Sequence, residues 1–296
     1  MKRRWLACLG VLGCGSAPHA IHPQAANAQL SLAADDRMIT IPAGKYIAGS
    51  TPEERGASYD DHLSATSSDL ARERKWFEHE EARHQVTLPA FRIDLMPVTQ
   101  GQYAEFVTAG KAAAPMIDEP GWKAQGFPQD FATEVVRYVW KAGSPPDERL
   151  DHPVVLVSWD DANRYCTWRG ELRGEPRRLP TSAEFEKAAR GDSGVVYPWG
   201  NTFEPQRLNS ADAGPKDTVP VGTFTTGASP YGVLDMAGNV LQWTATASAT
   251  AGESNTMLVK GSGWDDHAGV GRAASAIAHK PGVRHVLIGF RCASGG

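Results

Sequence analysis

Glycine and proline punctuate this chain so often, 30 and 20 times in 296 residues, that few windows between them can hold a long helix or strand. Those windows carry aromatic bulk instead: 9 tryptophans, 7 tyrosines and 9 phenylalanines. The pattern predicts many turns joined by aromatic packing rather than long regular elements. Hydrophobic residues at 41% and charged residues at 22% are in the range of a globular chain. A formal charge of −4 provides no concentrated basic surface to neutralise phosphates, so nucleic acid is not an expected partner.

The amino terminus reads as an export signal. Lys2, Arg3 and Arg4 form a positive region, Trp5 to Gly13 is a short apolar run, and Ala26-Asn27-Ala28 offers a cleavage site. An apolar run of that length is about half of what a membrane span needs, so no transmembrane span is expected. Arg3-Arg4 suits twin-arginine export, although the residues that follow match that signal poorly. Residues 1–28 are read as a signal peptide and 29–296 as one mature domain, periplasmic or secreted. Val11-Leu12-Gly13-Cys14 supports an alternative, a lipoprotein anchored through Cys14.

Export sets the reading of the cysteines. Cys8 and Cys14 belong to the leader, leaving Cys166 and Cys292 as an even pair in an oxidising compartment. A disulfide is expected, with two separately buried thiols as the alternative. Closing so long a loop would contribute about 4–5 kcal/mol in the chain-entropy account.

Met38 to Tyr46 reads as an opening strand broken at Pro42 and Gly44, and Gln85 to Ile93 as a second strand. The segment between them, residues 51–84, is polar, densely charged and without a sustained period, which predicts an exposed insertion. His79 and His84 flank an acidic pair there and read as an exposed approach to the strand. Thr99 with Gln102, and Thr181 with Glu184, are capping boxes that open helices, the second ended by Gly191. Ser158 opens a third helix, which Gly170 is expected to end. Residues 112–150 read as a long ordered loop, and brief strands are expected near Val219, Val240, Leu258 and Ile288.

Six motifs then occur in one order: Pro97-Val98-Thr99; Val157-Ser158-Trp159-Asp160-Asp161-Ala162 with Tyr165 to Gly170; Arg178-Leu179-Pro180-Thr181 to Glu186; Pro198-Trp199-Gly200; Tyr231 to Val240; and Gly289-Phe290-Arg291-Cys292. In this the chain resembles the sulfatase-modifying factor, or formylglycine-generating enzyme, family over residues 37–293. The resemblance implies an α+β single domain of low regular content, related to C-type lectins. It also implies a range of activities: copper-dependent formylglycine-generating oxidases, sulfoxide-forming non-heme iron enzymes and periplasmic proteins of pyoverdine maturation. Fold alone does not choose among these.

The family oxidases hold copper between two thiolates in the stretch that here runs from Lys260-Gly261-Ser262-Gly263-Trp264 to Phe290, and soft Cu(I) requires such ligands. That stretch has no cysteine; Gly263, Asp266, Ala268 or Gly271 stands at the relevant places, so copper is not expected. Ala189 and Ala273 stand at both positions of a second family disulfide, while Cys166 and Cys292 match the other. The resemblance implies structural Ca2+ at Asn209, the Ser210 carbonyl, Asp212 and the Gly214 carbonyl, and at Asp235, the Gly238 and Val240 carbonyls and Gln242. Gln242 replaces the glutamate common in the family, and the alternative is that these residues are turn formers. Asp265, Asp266, His267, His279 and His285 are the catalytic candidates, able in composition to supply two imidazoles and a carboxylate to iron; the alternative is a solvated loop.

Two functions follow. One is an oxidoreductase-like enzyme that modifies a peptide or protein side chain with groups other than cysteine. The other is a catalytically silent accessory module that binds a peptide or periplasmic protein during maturation of a redox partner.

Overall fold

The computed structural model describes residues 37–249 and 254–296; the leader with Cys8 and Cys14 lies outside them. Strands β1 (Met38–Ile41) and β2 (Gly44–Ala48) are separated at Pro42, and β3 (His84–Leu88) and β4 (Phe91–Asp94) at Pro89-Ala90. Each predicted strand is therefore two short ones, because proline cannot donate to a ladder. β1 pairs antiparallel with β4 while β2 pairs with β3, so the break sends the two halves into different sheets.

The capped helices form where their caps stand. Thr99 and Gln102 exchange bonds to open α3 (Gln100–Thr108), and Thr181 and Glu184 do the same for α6 (Ser182–Arg190), which ends at Gly191. Ser158 and Asp161 open α5 (Trp159–Arg173). That helix runs past Gly170 to Gly174, a correction to the expected end. Gly170 instead permits a close approach: a Cβ there would lie 2.5 Å from the Glu175 carbonyl oxygen and 2.7 Å from the Arg177 nitrogen. Residues 112–150 are more regular than a loop, with helix α4 (Glu119–Gln125) capped by Asp118 and helical turns at Phe131–Val135 and Val136–Tyr138.

The insertion is the larger correction. It forms α1 (Pro52–Thr66) and α2 (Leu70–Glu73), and it is not a solvated excursion. Thr51 and Glu54 complete another capping box, and Pro52 occupies the first turn, where its missing N–H costs nothing. Tyr59, Ala71 and Phe77 join the main apolar core, with the Tyr59 and Phe77 rings 4.8 Å apart. Glu80 is buried, and His79 is half-buried rather than exposed; His84 is exposed as expected.

Strand β5 (Arg177–Arg178) and the carboxy-terminal β10 (Ala293–Gly295) complete a four-stranded sheet in the order β1-β4-β10-β5. A second four-stranded sheet takes β6 (Leu241–Ala247), β7 (Met257–Lys260), β8 (Ala276–His279) and β9 (Ile288–Gly289) in the order β8-β7-β6-β9. Strands thus form beside Val240, Leu258 and Ile288, while Val219 lies in irregular backbone. The core between helices and sheets is aromatic: Tyr103 stacks on Tyr165 at 5.7 Å, and Phe106 meets Tyr165 edge-on at 5.5 Å. Cys166 of α5 is disulfide-bonded to Cys292 across 126 residues, with Cα atoms 5.6 Å apart, as expected from the cysteine pair. No helix among the described residues is long and apolar enough to cross a membrane. The architecture is a single domain of mixed helices and strands.

Candidate functional site

The loop after β7 carries the residues that the motifs single out, and it is built by hydrogen bonds rather than regular structure. Trp264 N–H donates to the Asn239 carbonyl at 3.1 Å, and Ala211 N–H donates to the Asp266 carbonyl at 3.0 Å. The Asp266 carboxylate accepts from Gly263 N–H at 2.7 Å, tightening the turn. Gly263 sits in a tight place: a Cβ there would stand 2.9 Å from Leu287 Cδ2, a side-chain end that would have to shift, and 3.4 Å from Asp265 Oδ1. At Gly269 a Cβ would meet the Ser58 carbonyl oxygen of α1 at 2.8 Å. Leu287 thus crowds the space beside residue 263, and the inserted helix lies against the same loop.

Neighbouring segments surround Asp265. Arg137 lies over the Trp264 ring at 5.7 Å and over Tyr138 at 5.0 Å. Tyr138 donates to Asp217 at 2.6 Å, and Arg149 donates to both oxygens of that carboxylate at 3.1 and 2.5 Å. Burial alone would raise the Asp217 carboxyl, but the bonds from Arg149 and Tyr138 hold it below the usual range. Asp265 and Asp266 go the other way. Burial, then the Glu134 charge, raises Asp265; burial, then the Asp265 charge, raises Asp266. The pair holds protons to higher pH than ordinary aspartates.

Four buried polar atoms here have no partner in the fold: Gln129 Oε1, Arg137 Nε, Trp264 Nε1 and Asp265 Oδ1. Two are donors and two are acceptors. Buried polar atoms are nearly always satisfied, so such a grouping on facing segments marks a place suited to a ligand with both kinds of group.

The histidine candidates divide. His267 Nδ1 is 2.8 Å from Asp212 Oδ1 at the edge of the loop. His285 packs between Phe127 at 4.1 Å and Trp122 at 5.0 Å, and its Nδ1 accepts from Leu287 N–H at 3.1 Å. Burial and then His279 push its pKa down to about 3. His279 lies edge-on to Phe127 at 6.2 Å and Trp243 at 6.4 Å, and burial followed by His79 lowers it to about 4. Both imidazoles stay neutral parts of an aromatic cluster. Among the described residues no three His, Cys, Asp or Glu side chains gather in a metal-holding arrangement, so the fold does not bring His279 and His285 together with Asp265, Asp266 and His267 as one ligand set.

The two calcium candidates differ as well. Asn209 donates through Nδ2 to the Asp217 carbonyl at 2.8 Å and to Asn239 Oδ1 at 3.3 Å, which fixes the amide and leaves its buried Oδ1 without a partner. The Ser210 carbonyl, which accepts from Gly214 N–H at 2.7 Å, lies in the same turn. These hard oxygens fit a calcium ion, although Asp212 directs one oxygen to His267. At the second place Gln242 Nε2 donates to the Asp235 carbonyl at 2.8 Å and the Val240 carbonyl at 3.5 Å. Gln242 Oε1 accepts from Arg291 Nε at 2.6 Å, and Arg291 Nη2 also donates to the Asp235 carbonyl at 2.8 Å. The Asp235 carboxylate accepts from Gly222 N–H at 2.8 Å, and burial raises its pKa. N–H donors and a fixed guanidinium thus satisfy the oxygens a cation would need, and Gly238 serves the turn beside them, so this set does not fit calcium.

Sequence reading missed Gln129 and Arg137 as parts of the site. Gln129 and Arg137 lie in a stretch without period, and nothing local marks them.

Comparison with known proteins agrees with the architecture. The sulfatase-modifying factor enzyme 1-like domain matches residues 24–295. Inactive C-alpha-formylglycine-generating enzyme 2 of Mus musculus is 32% identical over 304 residues, covering 90% of this chain and 88% of that protein. Hercynine oxygenase of Mycolicibacterium smegmatis is 30% identical over 222 residues, 71% of this chain but 49% of that protein. The structure of PvdO from Pseudomonas aeruginosa has the same fold, with a TM-score of 0.64 at 23% identity, covering 88% of this chain and 94% of that one.

Proposed function

Since this chain belongs to the sulfatase-modifying factor enzyme 1-like family, we propose that it is an exported member that binds a peptide or protein segment without oxidising cysteine. The absence of any cysteine between Lys260 and Phe290 carries this reading, and Leu287 Cδ2 stands where a side chain at residue 263 would begin. Two donors and two acceptors at Gln129, Arg137, Trp264 and Asp265 suit a peptide backbone, which offers both N–H and C=O groups. The name of the mouse relative, an inactive formylglycine-generating enzyme, points in the same direction. Calcium at Asn209, Ser210 and Gly214 would act structurally, neutralising the turn that carries Asp212 and Asp217.

The test uses a labelled cysteine-containing peptide of the sulfatase type. Saturable binding with no change in peptide mass under oxygen and copper supports the proposal, and weakened binding by Asp265→Asn locates it. Absence of saturable binding, or conversion of the peptide, overturns it.

The raised proton affinity of the buried Asp265–Asp266 pair favours one second reading, oxidation by groups other than cysteine, with Asp265 moving a proton. Stoichiometric iron in the purified protein, lost on His267→Ala together with oxygen consumption, would select it.

A further inference from the structure

We propose that the seam between helix α1 and the Trp264–Arg272 loop is a binding site for a divalent transition-metal ion of the zinc class, held by the imidazoles of His62 and His267. His62 is only 9% exposed, and its ring nitrogens have no hydrogen-bond partner among the described residues. Trp76 closes one side of the ring, edge-on at 4.9 Å. The ring instead faces His267 across the seam, with centroids 6.3 Å apart and planes at 73°. A tetrahedral ion with Zn–N bonds of about 2.0–2.1 Å places two imidazole centroids roughly 5 Å apart, so a side-chain adjustment of about 1 Å brings both rings onto one ion.

Asp212 supplies the feature that separates a ligand pair from two neighbouring rings. Its Oδ1 lies 2.8 Å from His267 Nδ1, so a neutral imidazole donates there and presents the Nε2 lone pair outward. Metal-bound histidines almost always have such a carboxylate behind them. The charges around the pair favour a cation. Asp212 lies against His267, and Arg272, whose charge acts on neighbouring Asp61, is occupied by Glu80 at 3.0 and 2.5 Å. Water can complete the coordination. Ion binding would clamp the inserted helix onto the candidate site.

The test uses purified, tag-free protein, stripped by chelator, returned to saturating Ca2+, and titrated with ZnCl2 by calorimetry and with CoCl2 by visible absorption. One equivalent of each metal should bind, and Zn2+ should raise the thermal midpoint. His62→Gln and His267→Gln should each weaken binding at least about 10-fold, and Asp212→Asn by about 10- to 100-fold. Failure to bind near one equivalent, or unchanged binding in a folded His62→Gln variant, overturns the proposal; so does a midpoint that responds to pH but not to Zn2+.

Discussion

Arg272 donates to both carboxylate oxygens of Glu80, at 3.0 and 2.5 Å, and so joins the inserted segment to the site loop across 192 residues of sequence. Both side chains are buried. Breaking such a pair strands one charge in a medium that solvates it poorly. Glu80→Ala should destabilise the protein by about 3–5 kcal/mol in urea unfolding, whereas replacing both residues by apolar ones of similar volume should cost much less. Equal losses in the single and double variants would deny the coupling.

Restoring thiols should not restore oxidation. Gly263→Cys forces its Cβ toward Leu287 Cδ2, and overpacking of that kind costs about 1–3 kcal/mol. The double variant Gly263→Cys, Ala268→Cys is expected to unfold at lower urea and to produce no peptide aldehyde. The added substitution Leu287→Ala should recover part of the stability.

The disulfide should matter more than any single surface contact. Cys166 and Cys292 close a loop of 126 residues, for which the chain-entropy account gives about 4–5 kcal/mol. Unfolding with and without reductant, or with both cysteines changed to serine, measures it; a shift under about 1 kcal/mol would contradict the account.

Acid should weaken the fold above the pH range in which ordinary carboxylates protonate. His285 is 5% exposed, and burial holds its pKa near 3, below the ordinary value near 6.5. Between those values the unfolded chain binds the extra proton, so stability falls as pH falls through about 6.5 and continues to fall toward 3. At pH 5 this residue alone should cost about 2 kcal/mol relative to pH 7. His279 shifts the same way and is more exposed, so its share is smaller. His285→Phe should flatten the dependence between pH 5 and 6.5, read from urea midpoints.

Calcium removal tests the Asn209 turn. A chelator should lower the thermal midpoint, and Asn209→Ala should abolish the response, while Gln242→Ala should leave the calcium response in place. Calcium sensitivity that survives Asn209→Ala would place the ion elsewhere.

What the sequence made legible was local. The boxes at Thr99 and Thr181 act over three residues, and both helices stand where they predict. Thr51, Pro52 and Glu54 carry the same signal, yet α1 was not foreseen, because only Ser58, Tyr59 and His62 of its face are buried and the helix is otherwise polar all round. Motif order carried the fold, since the six motifs spread over most of the chain. The candidate site was half legible. Trp264 to His267 stand on one loop as adjacency requires, but the separation of His279 and His285 from them is decided by Trp122 and Phe127, which lie far away in sequence. The loss of the second calcium place was visible as Gln242, but its cause, the guanidinium of Arg291, was not.

The most direct measurement is mass spectrometry of a sulfatase-type cysteine peptide after incubation with the calcium-loaded protein, copper and oxygen. The peptide should be recovered bound and unchanged. Its recovery as the aldehyde, with Cys166 and Cys292 still cross-linked, would contradict the account.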